Sequence, residues 1–422
     1  MNIGPDSRAG RFTKLEKDWI LYDVANSAIT LLFTTLLPLY FNSVADSAGL
    51  DDAAYLAYWG YAVSICTAIV AVLGPILGSV ADRQGMKKRL FLLTIGAGAL
   101  GLALLAIPQG WISFLLLFVL SRVGYQASLI FYDAMLTDVT THERMDKVSS
   151  YGFALGYIGS VIPFILSLVI VLSADRIGLS GQAAMSIAIM LNLVWWLALT
   201  VPLARNYRQK YYVTGREQGA TRVFTRLWNT LKEIRSDRKI FFFLIAFFFY
   251  IDGVSTIINM AVAYGSSIGL DSTALLLALL VTQIVAFPSA IIYGHLARRL
   301  SNHFMITVGI VAYTLITVFA VQLDREWEFW FLAVMVGLFQ GGIQALSRSY
   351  YGQLIPREKS GEYFGIYDIF SKGASFTGTF LVAFISQRTG EQSNGIAALV
   401  VIFILGLYFF RKAVRIPTVP RL

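Results

Sequence analysis

Cysteine, histidine and charge are all scarce in this sequence, and each shortage excludes something. A single cysteine, Cys66, rules out an internal disulfide and any multi-cysteine metal site. It sits inside an apolar run, where a small thiol packs between helices. The three histidines, His142, His295 and His303, fall in or beside polar loops, so neither a metal site nor a histidine proton relay is expected. An intramembrane enzyme would need a serine with a base, or a metal cluster. No histidine lies deep in an apolar run to serve either, and no cofactor is expected. Charged residues make up 14% of the 422 positions, against about 25% in a soluble domain.

Apolar residues are in excess, at 57%, and they come in long runs. Twelve runs are long enough to cross a hydrocarbon core about 30 Å thick at a rise of about 1.5 Å per residue. The first six lie near 19–41, 57–80, 89–108, 111–136, 148–172 and 184–204. The second six lie near 239–263, 272–294, 303–321, 327–351, 361–386 and 394–410. They are called spans 1 to 12 below. The first 18 residues are polar and the first run exceeds a signal h-region, so it is expected to remain as a span. Trp19, Tyr40, Trp111 and Trp327, at span ends, read as interfacial anchors.

Of the 34 Lys and Arg residues, 27 fall in the terminal segments and in alternate loops on one side. The opposite loops hold only Arg176, Arg325 and Arg388. By the positive-inside rule both chain ends are cytoplasmic. This placement also accounts for the net charge of +9 without nucleic acid. Anionic lipid headgroups are the expected neighbours of that side.

The fold class is therefore an all-α polytopic membrane protein, with residues 1–204 as one six-helix half and 239–422 as the other. The segment 205–238 is a cytoplasmic linker. Within it VFTRLWNTLKEI places Phe224, Leu227, Trp228, Leu231 and Ile234 on one helical face, which reads as a surface-lying amphipathic helix. Two halves with faint internal similarity are what many secondary transporters show. A monomer is expected.

Between spans 2 and 3 stands GSVADRQGMKKR, with Gly78, Asp82, Arg83, Gly85, Lys87, Lys88 and Arg89. Gly78 permits close helix contact, Gly85 suits a tight turn, and Asp82 can accept hydrogen bonds from a helix N-terminus. The pattern resembles the signature loop of the major facilitator superfamily. The resemblance implies two six-helix bundles and a cytoplasmic latch in which Gly78, Asp82, Arg83 and Gly85 take part. The second-half counterpart, GHLARRL, has Arg298 where an Asp is expected, so the latch is expected to be asymmetric.

A narrower resemblance rests on LYDVANSA (21–28), FYDAMLTDV (131–139), YGFALGYIG (151–159), GGIQALSRS (341–349) and EYFGIYDIFSKGASFTG (362–378). These are similar to the Atg22-like family, with Val24 in place of an expected Trp and Asp133 in place of an expected Asn. The fungal members are associated with amino-acid export from the vacuole. The resemblance implies a transporter more firmly than a cargo.

Polar groups within spans usually face the bundle interior or a water-filled cavity. Asp23 lies near the cytoplasmic end of span 1 and shares a face with Asn26. In span 4, Arg122, Gln126 and Asp133 form a polar stripe. Arg122 is the first choice for a substrate carboxylate, because its fork matches two oxygens. Asp252 lies deep in span 7, where an ionised carboxylate is costly, so it is the first choice for proton coupling; a fixed ion pair is the rival role. Gln340, Gln344 and Arg348 recur every four residues in span 10. Gln344 suits a substrate, and Arg348 suits a gate with Asp23 or Asp368. Asp368 and Lys372 in span 11 have the spacing of an intrahelical bridge.

Asn26, Arg122, Gln126, Asp133, Gln340 and Gln344 are thus the candidate solute contacts. A zwitterion would set its carboxylate on Arg122 and its ammonium near Asp252 or Asp133. The expected function is alternating-access transport of a small solute, an amino acid first, coupled to protons, in a bacterial inner membrane. A lipid, peptide or drug carrier of the same fold, and a transport-inactive receptor or scaffold, are the alternatives.

Overall fold

The computed structural model describes residues 11–214, 220–267, 272–323 and 325–417. Among them the chain is helices and connecting turns, with one isolated bridge between Arg83 and Val213. The first half holds α1 (Lys14–Leu31), α2 (Leu37–Ser47), α3 (Asp52–Ala81), α4 (Met86–Leu105), α5 (Trp111–Val139), α6 (Met145–Leu172) and α7 (Gly181–Asn206). The linker contains α8 (Ala220–Ser236). The second half holds α9 (Arg238–Ser267), α10 (Ser272–Leu300), α11 (Asn302–Ala320), α12 (Glu326–Leu354), α13 (Ser360–Thr389) and α14 (Gln392–Arg415).

Span 1 is α1 and α2 joined by a π-helical turn, Leu32–Leu36. Pro38 has no N–H to give the Thr34 carbonyl, so the ladder widens there. Thr34 and Thr35 hydroxyls bond the Thr30 and Leu31 carbonyls in the same turn. All twelve spans appear as helices long and apolar enough to cross a membrane. Several run beyond the apolar stretch because polar caps extend them. Thr13 and Glu16 form a capping box that starts α1 five residues ahead of Trp19.

A small apolar cluster joins Leu275, Ala278, Leu323, Phe329 and Ala333, and two large cores fill the halves. One joins Trp19, Phe41, Phe118, Tyr132 and Trp196 of the first half. The other joins Phe243, Tyr250, Tyr351, Phe403 and Phe410 of the second, with Ala134 inserted from α5. The halves meet where α3 packs on α13, and α6 on α10 and α12. Small residues make this possible. Gly74 and Gly78 of α3 lie against Gly365 and Gly361 of the antiparallel α13. A Cβ on Gly78 would fall on the Gly361 carbonyl, and one on Gly365 would lie 2.7 Å from the Gly74 oxygen.

The linker helix turns its apolar residues two ways. Trp228 and Leu231 are exposed, while Thr230 and Ile234 turn inward and are buried. The side chain of Phe224 lies outside the described residues. Trp327 is exposed, as an anchor would be. Trp19 and Tyr40 are buried instead, because α5 covers them with Tyr132 and Phe114.

Candidate functional site

One arginine ties the halves together. Arg348 lies on α12, whose polar face repeats every four residues and is turned toward the first half. Its Nη2 donates to Asp23 Oδ2 of α1 at 3.0 Å, and its Nη1 to Asp133 Oδ1 of α5 at 3.2 Å. Nε donates to the Ser149 hydroxyl of α6 at 3.0 Å, and Nη2 also reaches the Ser149 carbonyl. The guanidinium is boxed by the rings of Phe153 at 4.3 Å, Trp19 at 4.6 Å and Tyr132 at 5.5 Å. Such a dry, aromatic-lined setting strengthens both ion pairs. Asp23, placed with Arg348 by sequence reasoning, is its partner; Asp368 is not, and Asp133 takes that place. Asp133 is thus first an ion-pair residue, rather than a bare cavity-wall acid.

The remaining polar residues lie around this knot. Asn26 donates to Asp23 Oδ1 at 3.2 Å. Gln344, one turn from Arg348, accepts from Tyr157 of α6 at 3.3 Å. Gln340 is buried one turn further. Gln126 has a buried side-chain oxygen without a hydrogen-bond partner among the described residues. Arg122 is partly buried over the Phe118 ring, at 5.6 Å, and makes no ion pair among the described residues.

Arg122 and Asp133, the groups expected to hold a zwitterion, are eleven residues apart on one helix, or about 16 Å between backbone positions at the α-helical rise. Asp252 does not take the rival role of a fixed ion pair among the described residues. It is buried within the second half, and its Oδ1 accepts the Gly378 backbone N–H of α13 at 2.7 Å. No cation pairs with it among the described residues. Asp368 and Lys372 form the expected intrahelical pair, at 2.5 Å.

The basic loops close over this centre. Asp82 accepts from the Gly361 N–H at 2.7 Å and the Glu362 N–H at 3.0 Å, at the start of α13. These are unpaired first-turn donors, so a carboxylate there is favoured by both hydrogen bonding and the helix dipole. Gly78 admits the approach, and Gly85 takes φ +72° at the turn into α4. Arg83 bridges its backbone to Val213 of the linker.

Sequence reasoning missed how much else joins in. Lys87 is fully buried, 2.9 Å from Asp138 and 2.8 Å from the Ser360 hydroxyl across the interface. Asp138 also takes the Tyr207 hydroxyl at 2.6 Å and the N–H groups of Lys210 and Tyr211. Burial, with the Asp138 carboxylate beside it, raises the Tyr207 phenol well above its ordinary pKa and keeps it a donor. The strap from Tyr207 to Val213 then reaches the second half, where Arg357 donates to the Tyr211 hydroxyl at 2.8 Å. A buried lysine in the basic loop was the available signal for this.

The expected asymmetry has a structural counterpart. Opposite Arg298's loop, the acid is Asp146 at the start of α6. It accepts from Asn302 at 2.6 Å, Ser349 at 2.6 Å and Gln353 at 3.1 Å. The polarity is reversed between halves: loop acid on α13 in one, helix acid receiving loop and α12 donors in the other. Among the described residues, the inter-half hydrogen bonds run from these loops up to Tyr157 and Gln344.

Residues 13–416 match the family described as "Vacuole effluxer Atg22 like". A Bacillus subtilis protein, the uncharacterized MFS-type transporter YxiO, is 45% identical over 402 residues, covering 94% of both chains. Autophagy-related protein 22-1 of Aspergillus clavatus is 26% identical over 302 residues, covering 64% of this chain. The chain spans 49% of that fungal relative's length. Among solved structures, the major facilitator transporter FucP in its outward conformation superposes with a TM-score of 0.71 at 12% identity. It covers 95% of this chain and 97% of FucP, a likeness of fold alone.

Proposed function

We infer the function from one premise: the chain belongs to the Atg22-like family of the major facilitator superfamily and is a multi-pass membrane transporter of small solutes. We propose that the solute carries a carboxylate, an amino acid being the first choice, and that a proton gradient drives it across a bacterial inner membrane.

The observation that carries this reading is the Arg348 knot. One cation of the second half is held by two carboxylates of the first, at the floor of the polar region formed with Asn26, Gln340 and Gln344. Alternating access requires a closure that can break and reform, and charge-assisted bonds between rigid halves meet that requirement. Arg122 supports the carboxylate, since its fork has no acidic partner among the described residues. The Asp82 and Lys87 contacts form the outer layer of the same closure.

The test is purified protein screened for thermal stabilisation by amino acids, dipeptides, sugars and nucleosides, followed by flux into proteoliposomes. A bound solute raises the melting temperature by linkage. Stabilisation and flux by a carboxylate-bearing solute, accelerated by an imposed pH gradient, support the proposal. Flux indifferent to that gradient removes proton coupling, and a preference for uncharged solutes removes the carboxylate.

A further inference from the structure

The charges at the centre of the closure do not balance. Arg348 faces two carboxylates, Asp23 and Asp133. Asp368 and Lys372 cancel each other beside them. One negative charge is left over within the bundle, where an uncompensated ion is costly.

The two acids are not equivalent. Asp23 has both oxygens engaged, one by Arg348 and one by Asn26, and its side chain is 7% exposed. Asp133 uses one oxygen, in the longer of the two bonds, and its side chain is 24% exposed. Its other oxygen accepts no hydrogen bond from the described residues. The titratable and charged groups facing it are Arg348 of α12, Asp23 of α1, and Tyr367 and Asp368 of α13, with Tyr125 and Tyr132 on its own helix. Lys372 is engaged by Asp368, and Lys87 of α4 by Asp138. Arg122 is about 16 Å away along α5. Among the described residues, Arg348 is the cation paired with Asp133.

We propose that Asp133 is an acceptor for a single positive charge, and that its occupation releases Arg348 and opens the cytoplasmic closure. The same chemistry is supplied by a proton, by sodium, or by the ammonium head of a solute. A proton would pass from water to the free carboxylate oxygen and leave the same way, with no other bond changed. Neutralised, Asp133 no longer holds Arg348, which keeps only Asp23 among its acidic partners. Cation binding at Asp133 is thereby linked to opening at the basic loops. This proposal rests on the carrier reading and assigns the coupling to Asp133 instead of Asp252.

The experiment needs no identified solute. Full-length protein carrying Cys66→Ser, Thr141→Cys and Glu358→Cys is spin-labelled at the two exposed cytoplasmic positions. Distances are measured in lipid nanodiscs at alkaline pH in choline chloride, then at acid pH, in sodium chloride, and in ethylammonium chloride. One of the three additions is expected to enlarge the long-distance population by roughly tenfold, the scale of one lost charge-assisted bond. Which addition acts identifies the cation. Asp133→Asn is expected to show the enlarged population in every condition, and Asp133→Glu to retain the response. A wild-type distance that no cation moves overturns the proposal, as does an Asp133→Asn protein that responds like wild type. Either result, in a protein that still exchanges solute across a vesicle, leaves the carrier reading standing. Absence of exchange for every solute overturns that reading instead.

Discussion

Arg348 illustrates how much one side chain can organise. It is buried, meets two carboxylates, a hydroxyl and three rings, and so has exchanged its water for an almost complete set of substitutes. Arg348→Gln leaves Asp23 and Asp133 close together without a counter-ion. Breaking a buried pair in this way costs about 3–5 kcal/mol, and the melting temperature in detergent is expected to fall accordingly. Adding Asp23→Asn to that variant should recover part of the loss, which a fluorescence melt will show. Tyr207 offers a pH-dependent counterpart. Its raised pKa means that its contribution is complete below the ordinary tyrosine value of about 10. Above that value the unfolded chain gives up the proton first, so stability falls as pH rises toward the folded pKa. Melting curves across alkaline pH should show a shallower decline for Tyr207→Phe. The partners of these residues were only partly legible. Asp23 and Arg348 both announce themselves as charges in apolar runs, but 325 positions separate them. Asp252 is bonded to a backbone N–H, which no side-chain pattern reveals.

Helices meet across the closure through what they lack. The paired glycines of α3 and α13 let two backbones touch, and this contact sets how tightly Asp82 reaches the first turn of α13. Gly78→Val places side-chain carbon on the Gly361 carbonyl, so the helices must part. The expected outcome is a longer label distance between Thr141→Cys and Glu358→Cys without loss of the fold. An unchanged distance would show that the glycines are not what holds the inner side shut. Periodicity made the helices legible because hydrocarbon demands about 20 apolar residues in a row. It did not show the π turn in span 1, which depends on a proline acting with two threonine hydroxyls. Nor did it show the Tyr207–Val213 strap, which has no regular pattern and is ordered by the acceptors it finds on Asp138 and Asp82.

Taken whole, the described residues form two helical halves joined on the side of the basic loops by layered polar contacts, a side the positive-inside rule assigns to the cytoplasm. Surface labelling checks that orientation directly. Cys66 is buried, so background reaction is low. A membrane-impermeant thiol reagent on intact cells is expected to modify Ser180→Cys, on the outer side, and to modify Glu358→Cys only after permeabilisation. The reverse pattern would invert the topology.

Membrane residence, the twelve spans and the loop that carries Asp82 were legible in the sequence alone, which also sets the expected orientation. Each depends on a local or additive property: the length of an apolar run, the count of basic residues in a loop, the spacing within a short motif. The tertiary structure alone decided that Arg348 takes two acids, that Asp133 gives it only one oxygen, and that Asp252 is tied to α13. It also decided that the linker is strapped into the closure. These are matters of which distant helices are pressed together and which way their faces turn. That choice is made by the packing of the whole bundle, where small residues permit contact and buried charges must find partners wherever the chain brings them.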